Sequence, residues 1–311
     1  LLSQNIVNLS PGQSVEALQL DPQGHIQQVI HLFDDGESAW MIVEANQREP
    51  LMSYLQRMVF RSGVKLADHS EDFTVFGSCG LTIDKAAISN GTVLQWDDPW
   101  PNTASGGYRY ATSVPRGYLW RETLVEKHLA AGVFEQYEAA GTAAAEALRI
   151  GAHRPRQLTE VDAKALPHEF DWLATAVHLS KGCYRGQETV AKVHNLGHPP
   201  RRLVLLHLDG SGHEIPPAGS EIYLAESPDG AAAEDGRNQT ARGKITSVQQ
   251  HYEMGPIALA LVSRSVPEDA ELVVGTEHTE ISASQEVIVP ASAGKTVNRP
   301  KLRPSLLGGN R

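Results

Sequence analysis

The chain has 311 residues, 41% apolar and 21% charged, the balance of a soluble globular protein long enough for two or three packed units. A formal charge of −10 excludes a general nucleic-acid binder, which needs a basic face, and no apolar run is long enough for a membrane-spanning helix. Two cysteines do not make a secreted disulfide framework and no signal-peptide pattern opens the chain, so we expect a cytoplasmic protein with both thiols reduced.

The chain opens at Leu1 in the middle of a pattern, and we expect a further segment ahead of it. "QSVEALQL" and "HIQQVIHLF" flank Asp21-Pro22-Gln23-Gly24, whose residues suit a type I turn, so the spacing predicts a β-hairpin. "SAWMIVE" (38–44) predicts another strand. Leu51, Tyr54, Leu55, Met58 and Val59 recur at helical spacing behind Pro50, which predicts an amphipathic helix over 47–62. "FTVFG" (73–77) predicts a short strand, and residues 98–117, rich in Pro and Gly, a loop. Helices are expected over 119–131, closed by Gly132, and over 142–150.

The texture changes after Pro199-Pro200. "RRLVLLHL", "SEIYLA", "ARGKITSVQQH" and "PIALALVS" are strand-like with turn residues between them, which predicts a β-barrel or sandwich. Residues 226–242 are expected as a mobile hairpin loop. The end of the chain carries Lys295, Arg299, Lys301, Arg303 and Arg311 against Glu286, and is expected to be extended or disordered. The boundaries are therefore 1–199, 200–285 and a basic flexible tail over 286–311. Helix and strand alternate irregularly through the first 200 residues, so the fold class is α+β.

"KGCYRGQE", Lys181 to Glu188, carries the chemistry. "GQETVAKVHN" predicts a helix of about two turns ended by Gly197, with Cys183 in the loop before its positive N-terminus. Lys181 and Arg185 flank the thiol, and all three features favour thiolate. Gly182 and Gly186 permit a tight turn or a close approach. Tyr184 offers an aromatic face and Glu188 a carboxylate for a ring N–H. A glycine-flanked cysteine also suits a tight turn with a small buried side chain, and the local pattern leaves both readings open.

This stretch resembles the signature of the YgfZ family, Lys-Gly-Cys-aromatic-x-Gly-Gln-Glu, with seven of eight positions specified. These are folate-binding relatives of the glycine-cleavage T protein, an aminomethyltransferase. "LDPQGHI", "ALRIGAHRPR", "LPHEF", "GKITS" and "GPIALALV" extend the resemblance to about residue 285. It implies a trilobed, T-protein-like α+β fold with a C-terminal β-barrel around a central channel for tetrahydrofolate or a one-carbon derivative. It further implies Lys181 and Cys183 as the chemical residues, with Tyr184, Gln187 and Glu188 completing the loop. The partners implied are folate and iron–sulfur client or assembly proteins, in an accessory role rather than a conventional enzyme's.

Two positions depart from the pattern. Gln27 and Gln28 stand where the T protein has acids, and a neutral amide is a poor base, which counts against aminomethyl transfer. Gly151 stands where relatives carry a pterin-binding glutamate; Glu146 or Glu169 are the candidate substitutes. Arg154 and Arg156 are the candidates for the acidic tail of folate, with ordinary surface charge as the alternative. Tyr108 and Tyr110 are candidates for lining the channel, and Trp172 is expected in the core. His194 and His198 are not expected to form a metal pair, because Gly197 and the prolines break the helix that would align them. Arg201 and Arg202 are expected to be solvated. Cys79 has no assigned role, and two cysteines cannot by themselves hold a cluster that normally takes four thiolates.

Overall fold

A computed structural model of the chain describes residues 1–60, 62–225, 240–276 and 279–297. Strands β1 (Ser14–Leu20), β2 (Ile26–Asp34) and β3 (Ala39–Ile42) form an antiparallel sheet in that order. The turn between β1 and β2 is closed by the Asp21 carboxylate, which accepts from the N–H groups of Gln23 (2.9 Å) and His25 (2.8 Å). Gly24 takes φ +84° there, a left-handed conformation that costs glycine nothing in Cβ clash. Helix α1 (Arg48–Met58) buries Leu51 and Tyr54, and Leu51 packs with Ala17, Ile30 and Leu32 of the sheet and with Leu2 of the N-terminal segment.

β4 (Phe73–Cys79) is followed by a two-stranded hairpin, β5 (Ile88–Ser89) and β6 (Thr92–Val93), then by β7 (Gln95–Asp97) and β8 (Trp120–Glu126). The second sheet has the order β4-β8-β7. Residues 120–126 are thus a strand and not the expected helix. "WRETLVE" is rich in aromatic and β-branched residues, and it pairs on one edge with β4 and on the other with β7. Thr123 and Val125 are fully buried. Helix α2 (Ala131–Gln136) begins where the expected helix was to close, so Gly132 lies inside a helix. Helices α3 (Thr142–Gly151) and α4 (Gln157–Glu160) follow, and α5 (Gln187–Leu196) carries the end of the cysteine motif.

Six strands close into a barrel: β9 (Arg201–Leu208), β10 (Glu221–Leu224), β11 (Gly243–His251), β12 (Gly255–Ser263), β13 (Leu272–Gly275) and β14 (Glu280–Val287). The unbroken apolar run of β9 has a simple cause. Val204, Leu206 and Leu208 fill the barrel, while Leu203 and Leu205 face outward into a core shared with Leu18, Trp100, Phe170 and Trp172. Each such side chain contributes about 1.5–3 kcal/mol by leaving water, so the barrel is welded to the first 200 residues.

Two further expectations change. Arg201 and Arg202 are not free surface charges: half-buried Arg201 pairs with Glu169 (2.8 Å) and Asp162, and Arg202 is fully buried, donating to Gln285 (2.8 Å) and the Val266 carbonyl (3.0 Å). Residues 286 and 287 belong to β14, Ile288, Val289 and Ala293 are buried in the shared core, and the Thr296 and Val297 N–H groups donate to the His194 and Asn195 carbonyls. The remainder of the basic tail, and residues 226–239 of the expected hairpin loop, lie outside the described residues. No helix among the described residues is long and apolar enough to cross a membrane.

Candidate functional site

α5 begins at Gln187 behind Gly186, which sits at φ +82° and sets the chain into the helix. Cys183 lies in the preceding loop and is exposed, as are Gly182 and Arg185. The exposed thiol is not the small buried side chain of the turn reading. Lys181 points away to the N-terminal segment: its ammonium donates to the carbonyls of Leu2 (2.6 Å) and Gln4 (2.8 Å) and lies 5.7 Å from the Tyr184 ring. Burial lowers its pKa from the ordinary lysine value. The strap it holds is further fixed by Ser3, whose hydroxyl donates to the Ala176 carbonyl and accepts from the Leu18 N–H.

Tyr184 is only 8% exposed and belongs to the central core, where burial pushes its hydroxyl up to about 12. Gln187 donates to the Lys181 carbonyl across 3.5 Å, and exposed Glu188 occupies the first turn of α5, where a carboxylate suits the positive helix end. Gly186 meets the tip of the β1–β2 hairpin. A Cβ added to it would stand 2.6 Å from the Asp21 carbonyl oxygen and 2.8 Å from the Gly24 Cα. Two separate sequence signals, "LDPQGHI" and "KGCYRGQE", therefore fold into one knob that presents Cys183.

A cavity of about 410 Å³ lies farther along β2. Its walls come from Val29 and His31 of β2, Ile42 to Ala45, Val75 of β4, Tyr118, Trp120 and Glu122, the inner face of α3, and the segment Arg154 to Gln157. Its charges are paired. His31 stacks on Trp96 (3.8 Å between ring centres, 3° between planes) and its Nδ1 meets Glu122 at 2.8 Å. Burial disfavours the charged imidazole, but Glu122 outweighs it and the His31 pKa is raised; burial likewise works against Glu122, but His31 pulls harder and its pKa is lowered. Arg149 binds Glu146 (2.8 Å) and Glu160 (3.1 Å). Arg156 grips Glu44 through two nitrogens and reaches Glu146 at 3.0 Å.

The proposed site residues thus divide. Arg154 and Arg156 line the cavity; none of the residues from Lys181 to Glu188 does. Arg154 is spent on buried acids, Glu16 (2.7 Å) and Asp98 (2.9 Å), and burial raises the Asp98 pKa against the pull of that guanidinium. Glu169 is fully buried, bound to Arg201 and to the Leu166 N–H (3.0 Å), and does not line the cavity; Glu146 does. Gly151 faces His251, whose ring atoms lie 3.2 Å from where a Cβ would be. Gln27 is exposed, and Gln28 is buried and donates to Gln47 (2.9 Å); neither lines the cavity.

Tyr110 accepts or donates at His194 Nδ1 (2.8 Å) with Tyr108 edge-on to the same ring, so both tyrosines pack under α5 and not in the cavity. His198 Nδ1 meets the Ala293 carbonyl at 2.7 Å, away from His194's partner. Trp172 is in the core, with its indole N–H on Glu16 (3.2 Å). Cys79 ends β4, where partial burial raises its thiol pKa. His31, Glu44, Asp98, Tyr118, Trp120 and Glu122 carry no local sequence signal; only the folding of β2, β3 and β8 around one space brings them together.

No family model matches the chain. Over 263 residues it is 26% identical to a protein of Mycosarcoma maydis described as an iron-sulfur cluster assembly factor IBA57 homolog, mitochondrial, with 78% of this chain and 61% of that protein covered. The chain thus spans less than two thirds of that relative's length. Over 251 residues it is 23% identical to the tRNA-modifying protein YgfZ of Shigella dysenteriae serotype 1, covering 72% of this chain and 68% of that protein. Among solved structures, the glycine cleavage system aminomethyltransferase T from Bartonella henselae matches with a TM-score of 0.65 at 16% identity, over 93% of this chain and 79% of that one. The fold is that of the T protein, and the likeness to these two relatives supports the resemblance to the YgfZ family.

Proposed function

We propose that the protein is a folate-binding accessory factor that supports assembly or repair of iron–sulfur enzymes, with Cys183 as its working thiol. The observation that carries the reading is the coexistence of an exposed motif cysteine with an aromatic and charged cavity on the same strand system. About 410 Å³ is within the range that holds a small organic ligand. A pteridine is flat, has ring N–H and amino donors and carries an oxo acceptor. Tyr118 and Trp120 supply flat walls, Glu122 and Glu146 acceptors, and Arg149 and Arg156 donors. The residues fit that group. Folate, when bound, supplies one-carbon chemistry; the chain's part is to hold the ring and exclude water.

None of the residues from Lys181 to Glu188 lines the cavity. In this reading the thiol therefore serves a second macromolecule, with Tyr184, Gln187 and Lys181 holding its loop. An iron–sulfur cluster is then cargo, and the partner supplies the remaining thiolates, since the chain has two cysteines. The reading sets this work in the cytosol, whereas the fungal relative is described as mitochondrial.

Tetrahydrofolate-dependent aminomethyl transfer is the second reading, favoured by the fold likeness. Against it stand Gln27 and Gln28, and the pairing of Glu44, Glu122 and Glu146 each with a cation, which leaves none of the three as a free base. The test is made in cells lacking the gene. Iron–sulfur enzyme activity should fall, return with wild type and not return with Cys183→Ser. Full return with Cys183→Ser removes the thiol from the reading, and one-carbon turnover by purified protein would restore the second.

A further inference from the structure

The chain turns sharply where α3 ends. His153 sits there at φ +61°, a left-handed conformation that only glycine adopts without cost, and its side chain is only 4% exposed. Its Nε2 lies 3.5 Å from Oε1 of Glu286 on β14, and Nε2 of His207 on β9 lies 3.4 Å from Oε2 of the same carboxylate. Glu286 pairs with Leu205 across the β9–β14 ladder, and His207 follows Leu205 on the outer face of the barrel. Two imidazoles, one from each side of the seam between α3 and the barrel, thus share one acid. The other ring nitrogen of His153, Nδ1, is buried with no hydrogen-bond partner among the described residues.

The residues on either side of His153 are already engaged. The Ala152 carbonyl accepts from the Trp100 indole N–H (3.0 Å), and Arg154 binds Glu16 and Asp98. Residues 154–157 then form one wall of the cavity. The nearby imidazole on β11, His251, faces Gly151, and its Nδ1 accepts from the N–H groups of Glu253 and Met254 at 3.2 Å each. Glu286 and His207 are the charged groups that act on His153.

We propose that His153, Glu286 and His207 form an acid-released latch, which seats the end of α3 against the barrel and so holds the wall of the cavity made by residues 154–157. The neutral ring suits the site, with its N–H toward the carboxylate and Nδ1 bare. A second proton would go on Nδ1, where it finds no acceptor, while His207 competes for the same acid. The charged ring has to turn out to water, and the left-handed turn then loses the packing that holds it. Burial lowers the His153 pKa from its ordinary 6.5 against the pull of Glu286, and His207 lowers it further. The latch's contribution is therefore fully present above 6.5 and is lost as the pH falls from there through the folded pKa.

Amide hydrogen exchange at His153 and Arg154, whose N–H groups donate to the Ile150 and Arg149 carbonyls, reads the latch at about pH 7.5 and 5.5 after correction for intrinsic rates. Wild-type protection should fall at the lower pH by up to about tenfold, the limit for one imidazole of ordinary pKa 6.5. His153→Asn tolerates the left-handed turn and does not titrate, so its protection should change by less than about twofold. Equal wild-type protection at the two pH values overturns the latch, and a fall that survives in His153→Asn overturns the assignment to His153. Binding of 5-formyltetrahydrofolate should weaken over the same interval in wild type and not in His153→Asn, a consequence that rests on the folate reading above. Binding that ignores pH while protection falls overturns the coupling to the cavity. Absence of binding at both pH values overturns the folate reading, and the exchange result still decides the latch.

Discussion

Gly24 and Gly186 meet backbone to backbone, both in left-handed conformations at φ +84° and +82°, with room for a Cβ on neither. A Cβ on Gly24 would press on Thr189 at 3.1 Å, and one on Gly186 would overlap the Asp21 carbonyl. Through this contact the hairpin tip sets where the Cys183 loop stands.

Gly186→Ala should therefore cost about 2–5 kcal/mol, from left-handed strain plus overpacking against fixed backbone. Gly182→Ala, where nothing lies within 4 Å and the conformation is not left-handed, should stay within about 0.5 kcal/mol. Urea unfolding of the two variants measures the difference. Equal stability would show that the knob is not built on that contact.

Lys181→Ala should loosen the N-terminal strap. Two charge-assisted hydrogen bonds are lost, to the Leu2 and Gln4 carbonyls, at a cost of about 1–3 kcal/mol. Amide exchange at His178, whose N–H is held by the Ser3 carbonyl, should quicken. Unchanged exchange there would mean that Lys181 does not hold the strap. Cys183→Ser, at an exposed position, should leave stability unaltered.

The His31–Glu122 pair gives a pH signature. The His31 pKa is raised above its usual 6.5, so its contribution is fully present below that value and is lost as pH rises through the folded pKa. The Glu122 pKa is lowered, so its contribution is present above its usual 4.5 and is lost as pH falls through the folded pKa. Other groups titrate in the same range, among them buried His168, which burial holds down at about 4. The informative quantity is the difference between wild type and His31→Gln in urea midpoint. It should be larger at pH 5.5 than at pH 8.5, and a difference independent of pH would contradict the assignment.

The sequence made legible the elements whose cause is local. The Asp21-Pro22-Gln23-Gly24 turn, the spacing of Leu51 and Tyr54 in α1, and the helix after Gly186 all declare themselves within a dozen residues. The barrel was legible from its unbroken apolar strands. β8 is not legible locally, because "WRETLVE" owes its strand form to β4, over 40 residues earlier in the chain. The motif marks the thiol loop, and Tyr184 within it packs into the central core. What makes the cavity is long-range: His31 meets Glu122, and Arg156 meets Glu44, across about a hundred residues each.

The most direct measurement is thermal unfolding with and without 5-formyltetrahydrofolate for wild type, Cys183→Ser and Ala145→Trp, the last filling the cavity from α3. Ligand at 100 times its dissociation constant stabilises by about 2.7 kcal/mol, a shift on the order of 5 °C in a chain of this size. The shift should be present in wild type, retained in Cys183→Ser and absent in Ala145→Trp. A shift lost in Cys183→Ser but kept in Ala145→Trp would put the ligand at the motif loop and contradict the separation of thiol and cavity.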